Sequence, residues 1–288
     1  MRRFQRVLLF LDGGECDAAS ARVVEDLVRR NGAELTLFCA VDEPETEQLL
    51  ATIATGFDVD TVTHVETCDP VKAIGRRVVG GEADLVVTLD DESPPSWNTG
   101  QLLRTCPCPV WVVRPTVATL APTGWNVVAA VDPTSDASAL DVLILELASS
   151  MVERAGGVLH VAHAWEMIGS VTRPGRRLSG RFDVTYDELI VQARAQRADM
   201  LDEMLDRIRP FAIERQVHLA HGAPESAIPR VLDDVDADVL VMGTLARTGI
   251  RRFMIGNTAE RVLGSARCSL MAVKPPGFVS PFAEQIHA

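Results

Sequence analysis

Residues 237–263 read ADVLVMGTLARTGIRRFMIGNTAERVL, an apolar run, Gly243, a segment holding Gly249, then Gly256, Asn257 and Thr258 ahead of a helical pattern. A strand, a glycine-bearing loop and a helix start in that order suit an anion. Gly243 would let the backbone turn sharply and approach a ligand, while Gly256, Asn257 and Thr258 place free amides and two polar side chains where the helix begins. Helix starts of this kind attract phosphate. The same residues admit a ligand-free reading, because Asn257 with Glu260 three positions later is close to a capping box. The chain carries no Walker A sequence, no G-x-G-x-x-G and no G-x-S-x-G, which sets aside the commoner nucleotide and hydrolase motifs.

Other residues of reactive type fall into three groups. His160 and His163 lie in one strand pattern (LHVAH) and His218 and His221 in another (VHLAH), so cross-strand pairs such as His163 with His221 could hold a transition metal or titrate. Strand alternation sends His160 and His163 to opposite faces, however, which favours a structural role over a metal site. Cys106 and Cys108 are separated only by Pro107, short of the two-residue spacing of a redox pair or zinc knuckle, and read as packing residues. Asp90, Asp91 and Glu92 form an acidic turn without the ordered spacing of a Ca²⁺ loop.

These residues need elements to position them, and an internal repeat supplies the plan. Arg6–Asp12 and Asn126–Asp132 are apolar runs ending in aspartate, each followed by a small polar turn, a helical pattern (Ala18–Asn31; Ala137–Arg154), a glycine and a second apolar run (Glu34–Val41; Val158–Trp165). Ala83–Val87 then matches Ala237–Val241, and Cys108–Pro115 matches Cys268–Pro275, where proline stops each closing strand. Continuous apolar runs alternating with helices indicate parallel strands buried on both faces. The expectation is an α/β chain of two doubly wound, five-stranded parallel-sheet domains, 1–118 and 122–278, with Thr116–Thr123 as linker and 279–288 as a tail. Ligands of such sheets bind beyond the carboxyl ends of the strands, so the loops after Asp132 and Val241 are where chemistry should sit. Met167–Asp183 carries Arg173, Arg176, Arg177 and Arg181 and reads as a basic loop, followed by an amphipathic helix from Tyr186 to Ile208.

In this arrangement the chain resembles the universal stress protein family, whose fourth strand is followed by G-x-x-G, nine residues and G-[ST]. Gly243 stands at the first glycine, Arg247–Ile255 supply the nine residues, and Gly256 stands at the last glycine. Ala246 replaces the second glycine and Asn257 the Ser or Thr, with Thr258 next to it. The runs RTG and GNTAERV, with WNTGQLLRTCPCPVW at Trp97–Trp111, are similar to the tandem-domain E branch of that family. The resemblance covers nearly the whole chain. It implies a stress-tolerance protein that binds ATP or a related nucleotide, with Mg²⁺, and that needs no catalytic residue. It also implies roles: Asp132 and Val161 at the adenine and ribose end, and Gly243, Gly256, Asn257 and Thr258 around the phosphates. A Cβ on Ala246 is costly where the backbone requires a positive φ or close phosphate approach.

The corresponding first-half loop, Thr88–Pro95, has no glycine and three carboxylates, which would repel phosphate, so one site in the second half is expected. Composition agrees with a folded chain: of 288 residues, 47% are hydrophobic and 24% charged. A net charge of −12 disfavours nucleic acid. No run of eighteen apolar residues suggests a membrane span, no targeting signal is read at Met1–Asp12, and six scattered cysteines fit a reducing cytoplasm. Two further readings stay open: a slow ATP hydrolase assisted by Asp132, and an interaction scaffold whose halves form an intramolecular pseudo-dimer. A homodimer through closing strands such as Pro109–Arg114 is a further expectation.

Overall fold

A computed structural model of the chain describes residues 4–12, 16–40, 46–89, 95–114, 124–134, 138–166, 186–208, 212–244 and 257–282. The first half runs β1 (Arg6–Leu11), α1 (Ala18–Asn31), β2 (Glu34–Cys39), α2 (Thr46–Thr55), β3 (Thr61–Val65), α3 (Pro70–Val79), β4 (Leu85–Leu89), α4 (Trp97–Thr105) and β5 (Val110–Val113). The second half repeats the order as β6 (Trp125–Ala130), α5 (Ser138–Ala155), β7 (Gly157–Trp165), α6 (Tyr186–Asp206), β8 (Glu214–His221), α7 (Pro224–Asp234), β9 (Val239–Gly243), α8 (Asn257–Ser265) and β10 (Ser269–Val273). The interdomain linker, the arginine-rich loop and the acidic turn at Asp90–Pro94 lie outside the described residues.

Apolar runs become strands covered on both sides. In β1, Val7, Leu9 and Leu11 join one core layer while Leu8 and Phe10 join the other. Local chemistry sets the helix starts: the Asp17 carboxylate accepts the Ala19 and Ser20 amides ahead of α1, and Asp69 accepts the Lys72 amide ahead of α3, with Pro70 opening that helix. The repeated Ala-Asp pair has a structural purpose. Asp84 accepts the backbone N–H groups of Gln5 and Arg6, and Asp238 accepts that of Asn126 at 2.8 Å, tying each fourth strand to the start of its first.

The halves do not form separate sheets. One ten-stranded sheet runs β3-β2-β1-β4-β5-β10-β9-β6-β7-β8, parallel within each half, with β5 and β10 antiparallel at the middle. Leu270 faces Val112, Met271 faces Trp111, and Ala272 faces Val110, with Trp111 fully buried. β5 is hydrogen-bonded to β4 on one side and β10 on the other, so the strand expected to pair with a second chain is already used within this one. Two basic residues lock the seam reciprocally. Arg114 donates from Nη1 to the Ala266 carbonyl at 2.5 Å, beyond the end of α8, and Lys274 donates from Nζ to the Leu103 carbonyl near the end of α4. Each half thus sends a cation to the negative end of a helix in the other. The segment after β10 crosses over as well: Ser280 donates to the Thr105 carbonyl at 2.9 Å, and Phe282 packs where a Cβ on Gly75 of α3 would fall. Ser280 and Phe282, expected in a tail, are therefore buried against the first half.

Helix α6 departs from a uniform amphipathic stripe. Leu201 and Leu205 are buried as the spacing predicts, followed by Ile208, whereas Leu189, Ile190, Ala193 and Ala198 are only half-covered. Its middle is held instead by Arg197, whose guanidinium lies 4.8 Å over the Trp165 ring.

Candidate functional site

The carboxyl ends of β6, β7 and β9 lie on one rim of the second half, because parallel pairing aligns these strand ends, and α8 is the next described element after β9. Asp132 follows β6 directly. It is 7% exposed, and its Oδ1 accepts from the Thr134 amide at 3.0 Å and the Thr134 hydroxyl at 2.6 Å, forming an Asx turn. Its own N–H donates to Asp141 Oδ1 at 3.0 Å, so the first turn of α5 fixes the position of this carboxylate. His163 lies behind it, with Nδ1 3.1 Å from the Val131 carbonyl and 3.8 Å from Asp132 Oδ1. Burial lowers the His163 pKa, partly opposed by the Val131 carbonyl, which leaves the ring neutral with Nδ1–H donating to that carbonyl. Its Nε2 is buried with no hydrogen-bond partner among the described residues. Thr134 and Asp141 were not singled out by spacing. The aspartate–x–threonine turn after β6 was the signal that could have found Thr134.

Val161 sits lower. It is 0% exposed, level with Ala129 of β6 and Val217 of β8, and its side chain belongs to the core and not to the rim. Gly243 ends β9 at the rim, but for a different reason from the one its spacing suggests. Its φ is not among the positive ones, and a Cβ there would come 2.8 Å from Leu140 Cδ2 of α5, so close packing by α5 explains the glycine. Thr244 follows, fully buried, donating from Oγ1 to the Leu103 carbonyl at 3.4 Å and accepting from Lys274 Nζ. The glycine loop therefore leaves the sheet from an anchor shared with the first half. Ala246 and Gly256 lie outside the described residues, as do the side chains of Asn257 and Thr258, whose backbone opens α8.

The first half presents the same places with different contents. Matching Cys108 to Cys268 aligns Trp97 with Asn257, Asn98 with Thr258, and Ser96 with Gly256. Ser96 Oγ caps α4 by accepting the Thr99 amide at 3.3 Å. Asn98 reaches across to Asp12, the counterpart of Asp132, and donates from Nδ2 to both carboxylate oxygens at 2.8 and 3.0 Å. Helix start and strand-end aspartate are thus bridged by the protein's own side chains. In the second half the corresponding sequence position is Gly256, which has no side chain to serve as an acceptor.

The histidines pair differently from expectation. His160 and His218 share the face toward α7, with Nδ1 of one 2.9 Å from Nε2 of the other, whereas His221 packs edge-on against Trp165 and not against His163. Burial lowers both members of the pair, and the neighbouring ring lowers His160 further. Among the described residues no group of three or more metal-ligating side chains forms, and no helix is long and apolar enough to cross a membrane.

A doubly wound α/β chain with an aspartate after its first strand and a glycine-led helix start after its fourth belongs to a recognisable class. The family model described as "Universal stress protein family" matches residues 126–274, just over half of the chain. Universal stress protein E of Photorhabdus laumondii is 28% identical over 323 aligned positions, covering 98% of each chain, and that of Escherichia coli K12 is 30% identical, covering 74% of this chain and 67% of its own. A functionally unknown protein from Pseudomonas aeruginosa PAO1 superposes with a TM-score of 0.76 at 20% identity over 99% of this chain and 98% of its own. A universal stress protein from Archaeoglobus fulgidus gives 0.62 at 16% identity, covering 93% and 96%. The chain belongs to the universal stress protein family.

Proposed function

We propose that this chain is a nucleotide-sensing stress protein with a single site, on the rim of the second half, for ATP or a related nucleotide carrying its own Mg²⁺. The observation that carries this reading is the contrast between equivalent places. In the first half Ser96 caps the helix and Asn98 clamps Asp12, whereas in the second half the sequence places glycine where Ser96 stands and Asp132 is held by Thr134. A glycine-led helix start and a fixed carboxylate, both after the carboxyl ends of strands, suit a ligand with a phosphate end and an amino or hydroxyl end. Asp132 would take the amino or hydroxyl group, and the amides of Gly256, Asn257 and Thr258 the phosphates. The fit is weaker at Val161, which offers no exposed side chain, and at Gly243, which α5 already requires.

The two units, 1–118 and 122–278, act in this proposal as an intramolecular pair whose seam at β5 and β10 anchors the glycine loop through Lys274 and Thr244. Six free thiols suit a reducing cytoplasm. The seam also favours a second reading, an interaction scaffold without nucleotide. Calorimetric titration of the whole chain with ATP and Mg²⁺, repeated on Gly256→Asp, separates the two: heat in the native chain and none in the variant supports the site, because a carboxylate there repels phosphate. Equal heats, or no heat in either, would overturn it in favour of the scaffold.

A further inference from the structure

Six cysteines are free, and two of them lie side by side at the seam. Cys106 Sγ is 3.5 Å from Cys108 Sγ. Sequence supplies the reason. Each cysteine precedes a proline, which drives its backbone out of the helical region, and Cys106 has φ −67° and ψ 128° where α4 stops. Pro107 and Cys108 lie in the bend between α4 and β5, and this bend leaves the two sulfurs on one side. A disulfide bond of about 2.05 Å forms by drawing the sulfurs together from this contact.

From this geometry we propose that Cys106 and Cys108 are a reversible dithiol–disulfide site, oxidised by hydrogen peroxide and reset by a small thiol. Cys108 is half-buried and meets the oxidant, and Cys106, fully buried behind it, resolves. In the first step the Cys108 thiolate attacks one peroxide oxygen, an S–O bond forms, the O–O bond breaks, and the departing hydroxide takes up a proton as water. Cys106 sulfur next attacks the sulfenic sulfur, the S–S bond forms, the S–O bond breaks, and the hydroxyl leaves with the Cys106 proton as a second water. Two thiols have then lost two electrons and two protons, and one peroxide has become two waters.

The surroundings favour a thiolate at this pair. The neighbouring thiol and the Lys274 cation ease the first proton off the pair, whereas burial and repulsion hold the second far above the ordinary range. In the resting pair that charge sits on Cys106, and Cys108 becomes the attacking thiolate by passing its proton across the 3.5 Å contact to Cys106. Burial pushes the Cys16 and Cys268 thiols up to about 11 and raises Cys68 as well, which makes them poor nucleophiles. A bridge spanning one intervening residue closes too short a loop to stabilise the fold by much, which suits a reversible site and not a structural staple.

The test uses the full chain, treated with hydrogen peroxide, unfolded, alkylated and digested. The stretch between Arg104 and Arg154 holds Cys106 and Cys108 and no other cysteine. Its peptide should become lighter by two hydrogens and resist alkylation, reverting with dithiothreitol, while the other four cysteines still alkylate. Cys106→Ser should lose the bridge and leave a sulfenic acid on Cys108 that dimedone traps. Lys274→Met should slow bridging, because it removes a positive charge that eases the first proton off the pair, and Lys274→Arg should restore the rate. The proposal is wrong if both cysteines still alkylate after peroxide treatment, or if the bridge forms no faster in the folded chain than in the urea-unfolded one.

Discussion

Lys274 gives the sharpest test of how the seam is built. Its ammonium is 5% exposed, donates to the Leu103 carbonyl and to Thr244, and lies 5.6 Å over the Phe278 ring. Burial pushes its pKa from 10.5 down to about 8, with Cys106 opposing the shift. Between those values the unfolded chain holds a proton that the folded chain has released, so stability rises with pH across that window. The lysine's contribution is complete above its unfolded pKa and is lost as pH falls through about 8. At about 1.4 kcal/mol per unit, the gap corresponds to roughly 3 kcal/mol in all, most of it gained by about pH 10. Lys274→Met keeps an unbranched apolar stem and removes the titration. Urea unfolding of both proteins from about pH 7 to about pH 10 should show the native chain gaining about 2–3 kcal/mol relative to the variant. Parallel stability curves would mean that the ammonium is not buried at this seam, and the reciprocal capping of α4 and α8 would fall with it.

Gly243→Ala should destabilise the chain by about 1–3 kcal/mol through the clash with Leu140, and Leu140→Ala in the same chain should remove most of that added penalty in chemical denaturation. If Gly243→Ala leaves stability untouched, the packing account of this glycine is wrong. The His160–His218 hydrogen bond needs a donor on one ring and an acceptor on the other, so a second proton breaks it. Both folded pKa values lie below 6.5, hence stability should fall as pH drops below about 6.5, and His218→Gln should flatten that dependence in thermal melts at about pH 5 and pH 7. Gly75→Ala should expel the Phe282 ring and expose the C-terminal segment to chymotrypsin, with Phe282→Ala giving no further stability loss in that background.

Much of the architecture was legible in the chain because it is local. Apolar runs without alternation specify strands covered on both faces, and helices began where Asp17, Asp69 and Ser96 supply capping oxygens. The helix expected at Ala18–Asn31 is α1 residue for residue, and the repeated Ala-Asp, Cys and Pro positions placed the fourth and fifth strands of each half. The glycine pattern from Gly243 to Gly256 identified the family as well, since spacing along one loop is written in one stretch of sequence.

What tertiary structure alone decided concerns residues far apart in the chain. Two five-stranded sheets and one ten-stranded sheet have the same strand sequences; only the pairing of Val110–Val112 with Leu270–Ala272 distinguishes them. Asn98 closes on Asp12 across 86 positions, and nothing in either segment announces the other. The role of Gly243 turned on a leucine in a distant helix, and the histidine pair depended on the register between β7 and β8, which put His218 and not His221 beside a second imidazole. Sequence carries backbone preference and periodicity because these act over a few residues; contact between distant side chains is set by register and packing, which exist only once the sheet has closed.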